Sequence, residues 1–167
     1  MRGDREGFTV LEVPLTQWAA ICAVAGVVTG LLLNIPMVTQ SEGYLPAYVA
    51  AGGLSGVDPT EASDALAVAV HHVVAVVASL LYGALVAVLS LVLPTAVSLG
   101  GLPLVPHLVG AVTVTASIFA FFARIAMPRF GGNLRDDADE IVEQWALTAF
   151  IYGTTLALLV PILVIQF

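Results

Sequence analysis

No lysine occurs anywhere in this 167-residue chain, and cysteine occurs once, at Cys22. Charge of either sign is scarce, at 10% of residues, and the positive share is five arginines: Arg2, Arg5, Arg124, Arg129 and Arg135. Each shortage excludes something. A lone cysteine in an apolar stretch forms neither an intramolecular disulfide nor a thiolate metal site, and reads as a small packing residue. Five arginines against twelve acids give a net charge of −7, which repels phosphate backbones and leaves no nucleic-acid footprint. Phosphate loop, nucleophile elbow, H-E-x-x-H, C-x-x-C and dinucleotide fingerprint are all missing, so no enzymatic chemistry is expected.

What is present is apolar. Hydrophobic residues make up 59% of the chain and mean hydropathy is +1.01, which places it among membrane proteins with a single domain. A helix needs about 20 apolar residues to cross a hydrocarbon core. Four segments qualify: 17–38, 64–93, 107–127 and 144–166. Backbone groups in lipid must pair within the segment and strand alternation is absent, so the expected fold is an all-α integral membrane protein, four transmembrane helices in an antiparallel bundle. The expected location is the cell membrane, multi-pass, with the lipid bilayer as a partner. The mixed charges before residue 17 and the length of the first apolar run favour an uncleaved anchor over a signal peptide. Trp18, Tyr44, Tyr48 and Trp145 fall near predicted span ends, where interfacial aromatics belong.

The connections differ in character. Residues 44–57 are apolar but too short to cross, and suit either an interfacial or re-entrant segment or an ordinary structured loop. Asp58-Pro59-Thr60-Glu61 carries the signature of a helix start, which would begin the second span near residue 59. Pro94–Pro106, with Gly100-Gly101, predicts a tight hairpin. Asp136, Asp137, Asp139 and Glu140 begin an acidic pre-helix whose charges suit a helix N-terminus; a solvated acidic surface is preferred there over a cation site. Two arginines precede the first span and three flank the third connection, so the positive-inside rule leans toward external termini and a cytoplasmic third connection.

Helices in lipid associate by close contact and interhelical hydrogen bonds, which small residues at i,i+4 permit. Such series occur at Cys22, Gly26 and Gly30, at Ala75, Ser79, Gly83 and Ala87, and at Ala149, Gly153 and Ala157. Pro161 is expected to kink or fray the last span.

Chemistry is concentrated at His71-His72, two turns inside the second span, since ionisable groups at membrane depth usually face protein or water. Asp64 and Tyr82 lie near the face of His71, so Asp64, His71, His72 and Tyr82 form a candidate proton or ligand site. The preferred alternative is structural, with His71 bonded to a neighbouring helix. Adjacent histidines diverge by about 100° on a helix and cannot both ligate one haem iron. His107 is expected near the far end of the bundle, about 33 Å from His71 along the axis. Haem therefore survives only as a group shared between subunits, and no cofactor or metal is expected.

A Gly-bearing first span, the Tyr44-Leu45-Pro46-Ala47-Tyr48 connection, and His71-His72 followed by Leu81-Tyr82-Gly83 resemble small multi-span membrane proteins of haloarchaea. An acidic, lysine-free exterior favours a halophilic archaeon as source over a GC-rich genome without salt adaptation. The resemblance implies the general plan alone and transfers no catalytic residue. The expected role is a non-enzymatic accessory or assembly subunit of a larger membrane complex, whose partners are other membrane subunits or the chain itself as a homo-oligomer. The alternatives are a small oligomeric transporter or proton conduit using the His71 region, and a haem-binding electron-transfer subunit.

Overall fold

The computed structural model describes residues 13–167, so Arg2 and Arg5 lie outside the described residues. Four helices are long and apolar enough to cross a membrane: Leu15–Thr39, Asp64–Leu89, Leu104–Phe130 and Gly132–Gln166. At about 1.5 Å per residue, the shortest spans about 37 Å, more than the ~30 Å of a hydrocarbon core.

In chain order the elements are α1 (Leu15–Thr39), α2 (Leu45–Ser55), α3 (Asp64–Leu89), α4 (Leu104–Phe121), a π turn (Phe122–Ala126), α5 (Met127–Phe130) and α6 (Ala138–Gln166). The long helices close a ring in which α1 packs on α3, α3 on α4, α4 on α6 and α6 on α1. Neighbours run antiparallel, as the cross-contacts descend in register. Trp18 bonds Gly83, Cys22 bonds Ser79, and Gly30 bonds His71. Gln17 of α1 meets Phe167 beyond the end of α6.

The boundaries depart from the sequence expectation in ways local chemistry explains. α3 ends at Leu89, where the Ser90 hydroxyl donates to Val86 O at 2.8 Å. Asp58 caps only a 3₁₀ turn, Pro59–Glu61, and the α-helix starts at Asp64 behind a second cap, Ser63. Two caps in series separate turn from helix because Ala62 and Ser63 are extended. α4 begins three residues before His107; Pro106 is tolerated there because first-turn amides have no intrahelical acceptor. α1 continues through Pro36 to Thr39.

The second connection forms a two-residue antiparallel pairing, β1 (Ser98–Leu99) with β2 (Leu102–Pro103). Gly100 and Gly101 have φ of 60° and 86°, the two positive values that a type I′ turn demands. Residues 44–57 contain α2, with Pro46 near its start and Gly56 closing it in the left-handed conformation at φ 74°. α2 packs against α3 and covers a small second core of Val49, Phe122, Ala126, Met127 and Ile141.

The π turn has an identifiable cause. Pro128 has no N–H for the Arg124 carbonyl four residues earlier, and the ladder widens there, with Met127 N–H reaching back to Phe122 O.

Candidate functional site

The small-residue series of α1 and α3 face one another, and their closeness creates the polar contacts of the interior. A methyl group at position 26 would stand 2.7 Å from Val76 Cα, and one at position 30 would stand 3.1 Å from Ala75 Cβ. At that separation side chains of one helix reach backbone carbonyls of the other. Ser79 Oγ donates to Cys22 O at 2.7 Å, Trp18 Nε1 to Gly83 O at 2.9 Å, and His71 Nε2 to Gly30 O at 3.0 Å. Tyr152 of α6 adds a fourth bond, to Ala75 O at 3.1 Å. Gly83 lies against Cys22 and Trp18, Gly153 lies against Thr115 of α4, and Ala87 is only partly buried at the rim.

Of the four candidate site residues, His71 and His72 lie together, while Asp64 and Tyr82 go to other partners. Asp64 accepts from the Tyr48 hydroxyl at 2.8 Å, outside the helix core. His71 is partly buried, donates to Gly30 O, and packs near Tyr44. His72 stands edge-on to His71, with ring centroids 4.8 Å apart. Tyr82 is fully buried, eleven residues and therefore about 16 Å further along α3, and its hydroxyl meets His107 Nδ1. No polar line joins Asp64, His71 and Tyr82.

His107 is the residue that sequence reasoning misplaced. Its Nε2 lies 3.0 Å from Ala157 O, and a carbonyl only accepts, so Nε2 carries the proton. In the neutral ring Nδ1 is then an acceptor and Tyr82 is the donor. Ala157 is four residues before Pro161, which has no N–H to give it. His107 thus supplies from α4 the hydrogen bond that Pro161 removes from α6; the Ala157 carbonyl fixes the tautomer, and Tyr82 of α3 donates to the other ring nitrogen. Pro161 was the available signal: a proline within a helix frees the carbonyl four residues earlier, which a donor on a neighbouring helix can then serve.

His107 therefore sits beside Tyr82 rather than at the far tip of the bundle. The ~16 Å axial step from His71 still exceeds what one metal ion or haem iron bridges with two ligands near 2 Å. Among the described residues no group of three or more His, Cys, Asp or Glu is placed to hold a metal ion.

Trp18 is also corrected. At 2% exposed it is a core residue, 6.2 Å from Tyr82 between ring centroids, rather than an interfacial anchor. Trp145 packs on Phe122, and its buried Nε1 has no partner; Thr29 Oγ1 and Gln40 Oε1 share that condition.

Outside the spans, the connections are tied to one another. Tyr44 donates to Asn34 Oδ1 at 3.0 Å, and burial raises its pKa. The hydrogen bond to Asp64 raises that of Tyr48. Glu42 N–H donates to Gln144 Oε1 at 2.8 Å, and Gln144 Nε2 to Ser41 Oγ at 2.8 Å. Asp58 Oδ1 accepts from the Thr60 hydroxyl and amide, and Oδ2 accepts from Asn133 N–H at 3.1 Å, joining the first and third connections. The bonds from Thr60 lead in holding its carboxyl below the ordinary 3.8.

Between His71, Ala75, Thr115, Thr148 and Tyr152 lies a cavity of about 30 Å³. Outside, α4 and α6 flank an apolar groove of about 430 Å³, floored by Ala116, Ala149, Gly153 and Ala157 and edged by Phe119 and Phe150. The arrangement joins helices. No protein-family model, no curated protein and no solved structure matches this chain.

Proposed function

We propose that this chain is a non-enzymatic, multi-pass protein of the cell membrane that serves as an accessory or assembly subunit of a larger membrane complex. The observation that carries the reading is the use made of the interior polar groups. Ser79, Trp18, His71, His107 and Tyr152 all donate to backbone carbonyls of neighbouring helices. The cavity beside His71, about 30 Å³, has room for about two waters at 10–15 Å³ each. A proton path through the bundle would need far more, and His71 would first have to release Gly30. Haem ligation through His71 Nε2 would require the same release.

Outward-facing groups are apolar, including Val112 at 68% and Phe150 at 66% exposed beside the small-residue groove. Such a surface suits lipid and the side of another transmembrane helix, from a different subunit or a second copy. The acidic, lysine-free composition supports a halophilic source.

Mild extraction from native membranes followed by mass spectrometry tests the role, and a co-purifying membrane subunit is the expected result. Recovery of the chain alone and monodisperse would remove the accessory reading. Proton flux in liposomes that disappears on His71→Ala and His72→Ala would establish the conduit instead.

A further inference from the structure

All the arginines of the described residues fall within 124–135, at one end of the bundle. Two of them, Arg124 and Arg135, line a groove of about 460 Å³ between the π turn with α5 and the start of α6. The groove is amphipathic along its length. Phe119, Ala123, Met127 and Val142 form its apolar part, and both guanidinium-bearing residues are exposed beside it. One carboxylate, Asp139, also lines it, so two positive charges stand against one negative.

The backbone contributes to this arrangement. Arg124 is the middle residue of the five-residue π turn that Pro128 imposes, and π turns in helices frequently mark functional sites. Arg124 lies six residues before the end of the helix Leu104–Phe130, about 9 Å along its axis. From that depth its side chain reaches the level of headgroups.

We propose that this groove binds an anionic phospholipid, with the phosphate between Arg124 and Arg135 and an acyl chain along Phe119 and Ala123. Charge complementarity selects the headgroup, since Asp139 is the one carboxylate lining the groove against the two arginines. The apolar part selects a lipid over a free anion. Basic pockets between membrane helices on the positively biased side recognise anionic lipid in this way. The inference rests on the membrane reading above, and the test separates the two.

The protein is reconstituted in bilayers of mixed phosphatidylcholine and phosphatidylglycerol, and flotation first establishes insertion. Failure to float would remove the membrane reading itself. Inserted protein is then released in mild detergent, and the lipid that stays bound is measured by mass spectrometry. Phosphatidylglycerol is expected to be retained over phosphatidylcholine. Each of Arg124→Gln and Arg135→Gln should lower that preference about fivefold, from the ~1 kcal/mol that one basic residue contributes near an anionic surface.

Arg129→Gln, in the neighbouring groove beside Gly52 and Asp58, should leave the preference within about twofold. Ala123→Phe, which keeps both arginines and fills the apolar part, should also reduce retention. Unchanged retention in the Arg124→Gln/Arg135→Gln protein overturns the proposal, as does an equal loss in Arg129→Gln. Displacement of the lipid from the wild-type protein by millimolar inorganic phosphate would identify an anion site and overturn it too.

Discussion

Replacing His107 by leucine removes one side chain and strands two polar groups on two other helices. The Tyr82 hydroxyl loses its acceptor and the Ala157 carbonyl loses its donor, in a pocket where His107 and Tyr82 are both 0% exposed. An unsatisfied buried group costs about 1–3 kcal/mol in soluble proteins, which would make the pair worth about 2–6 kcal/mol. Interhelical bonds in membranes average nearer 0.6 kcal/mol, because the unfolded state in lipid finds partners of its own; two such bonds set a floor of about 1.2 kcal/mol. His107→Leu is therefore expected to destabilise by about 1–4 kcal/mol, read as unfolding by sodium dodecyl sulfate in mixed micelles and followed by circular dichroism.

The size of that loss does not by itself identify its cause, since any core substitution destabilises. Coupling to Pro161 does. Pro161→Ala restores an N–H that can donate to Ala157 O within α6, so the carbonyl no longer needs the imidazole. In that background His107→Leu should strand only Tyr82, and its cost should fall by about half, a coupling of roughly 0.5–2 kcal/mol. Adding Tyr82→Phe should remove most of the remainder. If the losses from His107→Leu and Pro161→Ala add within about 0.3–0.5 kcal/mol, the carbonyl is not what His107 serves and the reasoning is refuted.

Gly26→Ala should destabilise by about 1–3 kcal/mol in the same assay, because its methyl meets the Val76 backbone at 2.7 Å. Gly30→Ala should cost less, as its nearest neighbours, at 3.1 and 3.2 Å, are side-chain atoms of Ala75 and His72; the reverse order would contradict the packing described for α1 and α3. The Asp58 carboxyl is held below the ordinary 3.8, chiefly by Thr60, so its link to Asn133 should be fully present above about that pH and lost as pH falls through the lower folded value. Amide protection at Asn133 and Thr60, taken relative to the intrinsic exchange rate at each pH, should fall over that window in the wild type and be low at all pH in Asp58→Ala. Pro128→Ala returns a donor to the Arg124 carbonyl and should convert the π turn to α-helix, seen as a new 124–128 bond by nuclear magnetic resonance; persistence of the π turn would assign it to packing against Val49 and Ile141 instead.

The four long apolar helices were legible from length and hydropathy, and the facing series at Gly26, Gly30, Ala75, Ser79 and Gly83 could be read from their spacing. Which series met which could not, since alanine and glycine recur on every helix. The end of α3 and the start of α4 were missed by four and three residues, because Ser90 and the first-turn Pro106 decide them locally and hydropathy does not register them; α6 starts six residues early, at Ala138 in the polar stretch where hydropathy is low. The Asp64–His71–Tyr82 line failed for a different reason. Spacing places residues on a face of their own helix, but hydrogen-bond partners come from neighbours: Asp64 meets the Tyr48 hydroxyl, His71 the Gly30 carbonyl and Tyr82 the His107 ring.

Backbone carbonyls account for much of the polar content inside so apolar a chain, since Trp18, His71, Ser79, His107 and Tyr152 each serve one. In lipid a freed backbone group has no water to turn to. Pro161 and Pro128 each free one carbonyl, and the consequences differ with what stands opposite. At Ala157 a donor on α4 is within 3.0 Å, and α6 continues to Gln166 with His107 buried against it. At Arg124, on the exposed rim, the helix answers by widening into a π turn. The histidine buried most deeply thus belongs with a helix-breaking residue, Pro161, and not with the tandem pair at His71-His72.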